Sequence, residues 1–354
     1  MADVVSWPGD LTAIDAVCGR LRSGQLVGLS TDGGFEALAY GLDAEAIDRL
    51  AQMANAKMPL AILLGSAHEV FDWIPSLRGA GVRLLRDYWP GPLVLVSSLG
   101  IQGGLSARLP AAVRAMLERP EGLAVRLAPR DDLSILLAAL GGPLVIASLD
   151  ETARGKVDAI LDVGPTEPAS QVTVVAAGER DIRILHPGAI SLEELTGSAR
   201  SKTVFVCTGN TCRSPMAEVL CRRLLADTLG VAVNELPARG YEVESAGMAA
   251  AVGEPASPEA VDVAQTLGGD LTGHASQPLT MALVDRADHL FTMTAGHLRM
   301  LHSLRLPVGP EPQLLSLRGE DVPDPIGGPT ELYQACAEQI RQSLRERLPQ
   351  ILEG

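Results

Sequence analysis

The chain has 354 residues, 47% of them hydrophobic and only 3% aromatic, with a formal net charge of −14. That length allows two domains, with cores built from Leu, Val, Ala and Ile rather than from rings. The acidic balance argues against broad electrostatic binding to nucleic acid or to an acidic membrane. Five scattered cysteines, an odd number, do not make a secreted disulfide framework. The opening MADVVSWPGD has no basic region followed by an apolar core, and no uninterrupted apolar stretch reaches about 18 residues. No signal peptide and no membrane span are expected, and a reducing cytoplasm is the expected location.

Leu11 to Ser23 is amphipathic and ends at Gly24, which predicts a helix. Short strands are predicted over Leu26–Thr31, Leu60–Gly65, Pro92–Ser98, Leu123–Leu127, Pro143–Ser148 and Gln171–Ala176. Helical patterns over Gly79–Tyr88 and Asp132–Leu140 lie between some of them. Residues 1–195 therefore predict an α/β domain with a mixed twisted sheet. SLEELTGSARSK (191–202) turns polar after Leu195, so a linker is placed at 196–201.

The chain then restarts with a strand, TVFVC, ending at Cys207. Met216, Val219, Leu220 and Leu224 fall at helical spacing, and Gly230 stops that run. Further strands are predicted over Tyr241–Ser245 and His289–Met293, and helices over Ser257–Leu267, Ala295–Leu304 and Glu331–Leu348. This order predicts a second α/β domain at 202–354 with a doubly wound parallel sheet. Ligands of such sheets bind at the carboxyl ends of strands, which is where Cys207 falls.

The stretch VCTGNTCRSP (206–215) places two cysteines five apart and an arginine directly after the second. A metal site is short of ligands, because Cys207 and Cys212 are the only close thiols and no His pair stands nearby at ligand spacing. No metal and no cofactor are expected. A structural disulfide does not suit a reducing compartment. A lone cysteine would be ordinary core packing; the whole loop fits an anion site. A helix N-terminus supplies unpaired N–H groups and a positive dipole end. Gly209 and Asn210 tolerate left-handed backbone, which turns successive N–H groups inward. Arg213 offers a planar fork to two phosphate oxygens. Ser214 can cap the helix and donate to a thiolate, and Pro215 suits the first helical position. Cys207 at the strand end then faces concentrated positive potential, the setting for a thiolate nucleophile in phosphoryl transfer. Such chemistry needs a proton donor for the leaving group. Asp324, between prolines in VPDPIGGP (322–329), is the candidate.

CTGNTCRS (207–214), ESAG (244–247), ADHLFTM (287–293) and DPIGG (324–328), in this order, resemble the low-molecular-weight protein tyrosine phosphatase family. The resemblance spans about 150 residues. It implies a phosphocysteine on Cys207, with Arg213 and the amides of Thr208, Gly209, Asn210, Thr211 and Cys212 binding the phosphoryl group. It also implies that Asp324 protonates the leaving group and then activates water, and that Asn210 and Ser214 hold the loop and the thiolate. Cys212 matches the position that traps oxidised Cys207 as a reversible disulfide. The implied partner is a phosphorylated protein. Thr211 stands where tyrosine-specific members often carry a bulkier aliphatic residue, and is similar to the branch that hydrolyses phosphoarginine. Asp324-Pro325 is followed by Ile-Gly-Gly rather than by aromatics. Both features tilt toward phosphoarginine and leave phosphotyrosine open. Arsenate reduction on the same fold needs relay cysteines, and none lies between Cys221 and Cys336.

The first part carries STDGGFEAL (30–38), WPGPLVLV (89–96), VRLAP (125–129), ASLDETARG (147–155) and ILHPGAIS (184–191). In this order they resemble the YrdC-like family, whose active members make threonylcarbamoyl-adenylate. The family's Lys-x-Arg stretch falls near 50–60, where only Lys57 is basic, and its Ser-Ala-Asn becomes Ser148-Leu149-Asp150. ATP chemistry needs those cations. A degenerate, non-catalytic domain is therefore expected, with retained synthase activity or nucleotide or RNA binding as the alternatives. A chain whose second domain only holds phosphoproteins is a further alternative, against which intact Cys207, Arg213 and Asp324 argue.

Overall fold

The computed structural model of the chain describes residues 3–7, 11–31, 33–99, 101–164, 171–303 and 310–353. The chain divides into two compact units, Met1–Ala199 and Arg200–Gly354.

The strands of the first unit are β1 (Asp3–Ser6), β2 (Val27–Thr31), β3 (Gly34–Tyr40), β4 (Ala61–Leu64), β5 (Leu93–Ser97), β6 (Glu118–Arg119), β7 (Gly122–Leu127), β8 (Leu144–Ser148), β9 (Ala159–Asp162), β10 (Thr173–Ala177) and β11 (Ile182–His186). They form one sheet in the order β1-β9-β2-β3-β8-β4-β7-β5-β10-β11, with β6 beside β7. Pairing is mixed: β4–β7 and β5–β10 are parallel, β2–β3 and β3–β8 antiparallel. The helices are α1 (Leu11–Arg22), α2 (Ala44–Met53), α3 (Val70–Trp73), α4 (Ala80–Tyr88), α5 (Ala111–Leu117), α6 (Asp131–Leu140) and α7 (Leu192–Ala199). The period of two in a strand sends alternate residues to opposite faces. In β4, Ile62 and Leu64 enter one core while Ala61 and Leu63 enter the other. Burial on both faces explains why these strands are continuous apolar runs.

Residues 196–201, expected as a linker, hold the last turn of α7 and the first residue of the next strand. Ser191 and Glu194 form a reciprocal cap, with Glu194 N–H on Ser191 Oγ at 3.2 Å and Ser191 N–H on Glu194 Oε2 at 2.9 Å. Leu195 and Ala199, four apart on one helical face, are buried. Two buried apolar residues and a cap outweigh the low propensity of Gly197 and Ser198.

The second unit contains β12 (Ser201–Cys207), α8 (Arg213–Leu229), β13 (Tyr241–Gly247), α9 (Pro258–Thr266), α10 (Met281–Arg286), β14 (His289–Thr292), α11 (Ala295–Ser303), β15 (Gln313–Leu314) and α12 (Thr330–Glu353). Its sheet is parallel throughout, in the order β13-β12-β14-β15. Central strand β12 is buried over all seven residues. Alternation puts Val204 and Val206 on one face, and Phe205 and Cys207 on the other with Met216, Tyr333 and Cys336. The strand period thus aims Cys207 toward the side on which α8 and α12 pack. No helix among the described residues is long and apolar enough to cross a membrane.

Candidate active site

The chain leaves β12 at Cys207, turns through 208–212 and enters α8 at Arg213. Asn210 makes the turn. It is the one non-glycine residue with positive φ among those described, at 56°, and Asn tolerates that conformation better than most side chains. Gly209, expected to share the left-handed role, is not among the positive-φ residues. A Cβ there would meet Thr211 Oγ1 at 3.6 Å, an ordinary contact.

Asn210 is fully buried, and its polar atoms are engaged. Its backbone N–H points at Cys207 Sγ at 3.2 Å. Its Nδ2 donates to Ser214 Oγ at 3.0 Å and to Ser245 Oγ at 2.9 Å. Its Oδ1 accepts from Gln277 N–H at 2.8 Å, and its carbonyl accepts from His274 Nε2 at 2.7 Å. Ser245 in turn donates to Glu218 Oε2 at 2.6 Å. The direction of this chain follows from its ends. Burial pushes the Glu218 carboxyl up, against Arg222 and the Ser245 hydroxyl, which hold it down; in its carboxylate form it can only accept, and Ser245 then donates to it and accepts from Asn210. Ser214 then accepts from Asn210, and its one proton is shared between Cys207 Sγ, 2.9 Å away, and Ala246 O at 3.3 Å. Ser214 was expected also to cap the helix. It lies inside α8 instead, with Oγ on Cys207 and on Ala246 O. Pro215 is the third helical residue rather than the first, where its missing N–H still costs no helical bond.

Arg213 and Asp324 form an ion pair, the guanidinium 6% and the carboxylate 41% exposed. Arg213 Nη1 also donates to Val322 O at 3.3 Å, and Val322 N–H to Met293 O at 2.8 Å. These bonds bring the DPIGG segment over the loop. Cys207, Thr208, Gly209, Thr211, Cys212, Arg213, Asp324 and Ile326 line a cavity of 150 Å³. A larger cavity of 650 Å³, beside Leu236 and Tyr241, contains no thiol. Volume alone does not locate the chemistry.

The second cysteine is not bonded to the first. Cys212 Sγ lies 3.3 Å from Ser257 Oγ and 3.7 Å from Tyr333 Oη. All five cysteines are reduced and buried. Burial pushes the Cys221 and Cys336 thiols up to about 12, the state of ordinary core cysteines. Among the described residues no group of three or more His, Cys, Asp or Glu side chains is arranged to hold a metal.

Strand β13 runs beside the loop in register, Cys207 opposite Gly247. Met248 and Ala249 then bond Cys207 O and Thr208 O, both at 2.9 Å. A Cβ on Gly247 would lie 2.6 Å from Thr208 O and 2.9 Å from Asn210 N, so only glycine permits this approach. Sequence reasoning about the loop passed over His274, Gln277, Glu218, Ser257 and Tyr333. Each lies at least four residues beyond the loop, and only the fold brings it near. His297, whose Nε2 stands 2.9 Å from Thr208 Oγ1, was also passed over.

In the first unit, Glu36 and Arg126 form an ion pair in which both side chains are 1% exposed. Thr31 Oγ1 bonds the same carboxylate, as does Ser148 Oγ at 3.3 Å. Arg154 stacks 4.4 Å over the Phe35 ring and bonds Ser30 Oγ and Glu151. Lys57 is exposed. Asp32 of STDGGFEAL lies outside the described residues.

Comparison with known proteins gives two separate family matches along the chain. Residues 20–188 match the family described as telomere recombination, which includes the YrdC proteins. Over 205 residues the chain is 28% identical to a candidate threonylcarbamoyl-AMP synthase of Mycobacterium tuberculosis, covering 51% of this chain and 87% of that protein. Over 157 residues it is 37% identical to a protein-arginine-phosphatase of Geobacillus stearothermophilus, covering 43% of this chain and 96% of the relative. It is 34% identical over 145 residues to the low molecular weight protein-tyrosine-phosphatase Etp of Escherichia coli, covering 40% and 89%. Residues 202–353 match the model of the low molecular weight phosphotyrosine protein phosphatases. Through them the chain belongs to that family of cysteine-dependent protein phosphatases.

Proposed function

We propose that the second unit removes the phosphoryl group from phosphoarginine in proteins, through a phosphocysteine on Cys207. The observation that carries the choice of substrate is the cavity over Cys207, which is small and lined by no aromatic ring. A phosphotyrosine ring gains from aromatic walls. A guanidinium arm instead brings N–H donors and a methylene stem. Thr211 in the cavity wall offers a hydroxyl acceptor to those donors, and Ile326, 67% exposed, offers an aliphatic surface to the stem.

The incoming phosphoryl group takes the place of Asp324 on Arg213. Cys207 Sγ attacks phosphorus while Ser214 donates to the sulfur. A P–S bond forms as the P–N bond breaks, and Asp324, protonated for this step, passes its proton to the leaving nitrogen. Water then attacks phosphorus, Asp324 accepts its proton, and inorganic phosphate leaves as the P–S bond breaks. The amides of 208–212 and the start of α8 hold the equatorial oxygens throughout.

The test is kcat/KM on two peptides of one sequence, one phosphoarginyl and one phosphotyrosyl. The phosphoarginyl peptide should be preferred, and Thr211→Ile should move the ratio toward phosphotyrosine. A wild-type preference for phosphotyrosine of tenfold or more, about 1.4 kcal/mol, would overturn the substrate choice. Full activity of Cys207→Ser on both would overturn the mechanism. The first unit is proposed to be non-catalytic. Its buried Arg126 is engaged by Glu36 and its Arg154 by Glu151 and Ser30, so these cations already have partners. Threonylcarbamoyl-adenylate formation from ATP, threonine and bicarbonate by the purified chain would refute this.

A further inference from the structure

His297 lies in the first turn of α11, between the phosphate loop and the acid loop. Its Nε2 is 2.9 Å from Thr208 Oγ1, and Thr208 lines the cavity over Cys207. The residue is 8% exposed, and its Nδ1 is buried with no hydrogen-bond partner among the described residues. The same helix end is tied to the acid loop, since Ala295 N–H bonds Asp321 Oδ1 at 2.6 Å, three residues before Asp324. His297 N–H bonds Thr294 Oγ1 at 3.2 Å, which fixes the ring's backbone.

A neutral imidazole carries one N–H. With that proton on Nδ1, Nε2 accepts the Thr208 hydroxyl proton, and a buried donor is orphaned. With it on Nε2, the ring donates to Thr208, and the Thr208 proton is free to turn into the cavity. Nδ1 lacks a partner among the described residues in every protonation state, whereas the two neutral forms hold the hydroxyl in opposite directions.

We propose that His297 is a positioning residue that takes up a proton from solvent when an oxyanion fills the loop, so that its Nε2–H holds Thr208 Oγ1 and the Thr208 hydroxyl proton is turned to the bound oxygen. This rests on the loop being the phosphoryl site proposed above. The charged groups facing His297 are Arg213 from α8 and Asp324 and Asp321 from the acid loop. Burial first, and then Arg213, hold the imidazole below its ordinary range, while Asp324 and Asp321 pull the other way. A dianion beside Arg213 adds negative charge and moves this balance toward imidazolium. The bound state then has the higher midpoint. Affinity for an oxyanion of fixed charge is greatest below the free-state midpoint and falls as pH rises through the bound-state midpoint.

The experiment uses the full chain with Cys207→Ser, which removes the thiol, and sulfate as the probe, a dianion throughout the range studied. Imidazole signals are followed by NMR from about pH 5 to 8, the span over which histidine changes charge, with and without saturating sulfate. The double variant Cys207→Ser/His297→Gln assigns the signal, and Gln keeps a partner for Thr208 without titrating. The expected result is a rise of the His297 midpoint by about 0.5 unit or more on sulfate binding. Sulfate affinity should also fall with pH more steeply in Cys207→Ser than in the double variant. If sulfate moves the amide signals of 208–213 while the His297 midpoint stays fixed, the proposal is overturned and the phosphatase reading stands. If sulfate moves neither, both are overturned. A purely structural histidine would leave the midpoint unmoved.

Discussion

Asn210→Ala removes the side chain on which the 208–212 loop is hung. Three buried hydrogen bonds vanish, to Ser214 at 3.0 Å, Ser245 at 2.9 Å and Gln277 at 2.8 Å. At about 1 kcal/mol each, they amount to roughly 3 kcal/mol. Alanine held at a φ of 56° adds about 1 kcal/mol more. If this whole term, about 4 kcal/mol, falls on the competent shape of the loop, kcat/KM drops about 10³-fold. Asn210→Gly loses the same bonds without the backbone term, so it should retain about fivefold more activity than Asn210→Ala. Initial rates on p-nitrophenyl phosphate measure both. An alanine variant within threefold of wild type would refute the idea that this network shapes the loop. A glycine variant worse than the alanine variant would refute the backbone term.

Asp324→Ala should lower kcat on phosphopeptides by about 10²–10⁴-fold, with a much smaller loss on p-nitrophenyl phosphate, whose leaving group needs no proton. Equal losses would move the acid role elsewhere. Cys212→Ser should turn reversible inactivation by hydrogen peroxide into irreversible loss. In wild type the Cys207 sulfenic acid condenses with the Cys212 thiol, giving a disulfide and water, and dithiothreitol reverses it; identical recovery in both proteins would count against the trap. Glu36→Gln breaks the buried ion pair with Arg126 and should destabilise the first unit by about 3–5 kcal/mol. Trp7, Trp73 and Trp89 all lie in that unit, so urea unfolding followed by tryptophan fluorescence reads it alone; an unchanged midpoint would show the pair to be dispensable.

The turn at 207–214 was legible as a turn because its constraints are local. A strand end, residues tolerant of tight turns, an arginine and a helix start follow one another within ten positions, and the structure assembles them on one cavity. What lay beyond reach was the support for that loop. Ser245 and Gln277 meet at Asn210, and Glu218 joins them through Ser245, only because β13 lies beside β12 and α8 packs across them, and no spacing in the sequence encodes such meetings. The assignment of left-handed geometry to both Gly209 and Asn210 shows a related limit. Propensity names residues that tolerate a conformation, and the hydrogen bonds around Asn210 decide which one adopts it. In the first unit β3 was not singled out as a strand, although GFEALAY is nearly all apolar. Its central Glu36 is a poor core residue until Arg126, on another strand 90 positions away, neutralises it. Helix α7 was legible in principle through the Ser191–Glu194 cap, but the glycine and serines beyond Leu195 read more loudly.

The contact at Gly247 makes the shape of the 208–212 loop a property of two strands. Its amides are spaced by a neighbour that must arrive in register and carry no side chain at one position. A loop of identical sequence grafted onto another parallel sheet would lack that abutment and would be free to open outward. Redesign of this catalyst therefore has a fixed point outside its signature. Residue 247 does not line the cavity over Cys207, yet it would be intolerant of even a methyl group, while the cavity wall at Thr211 and Ile326 remains open to exchange.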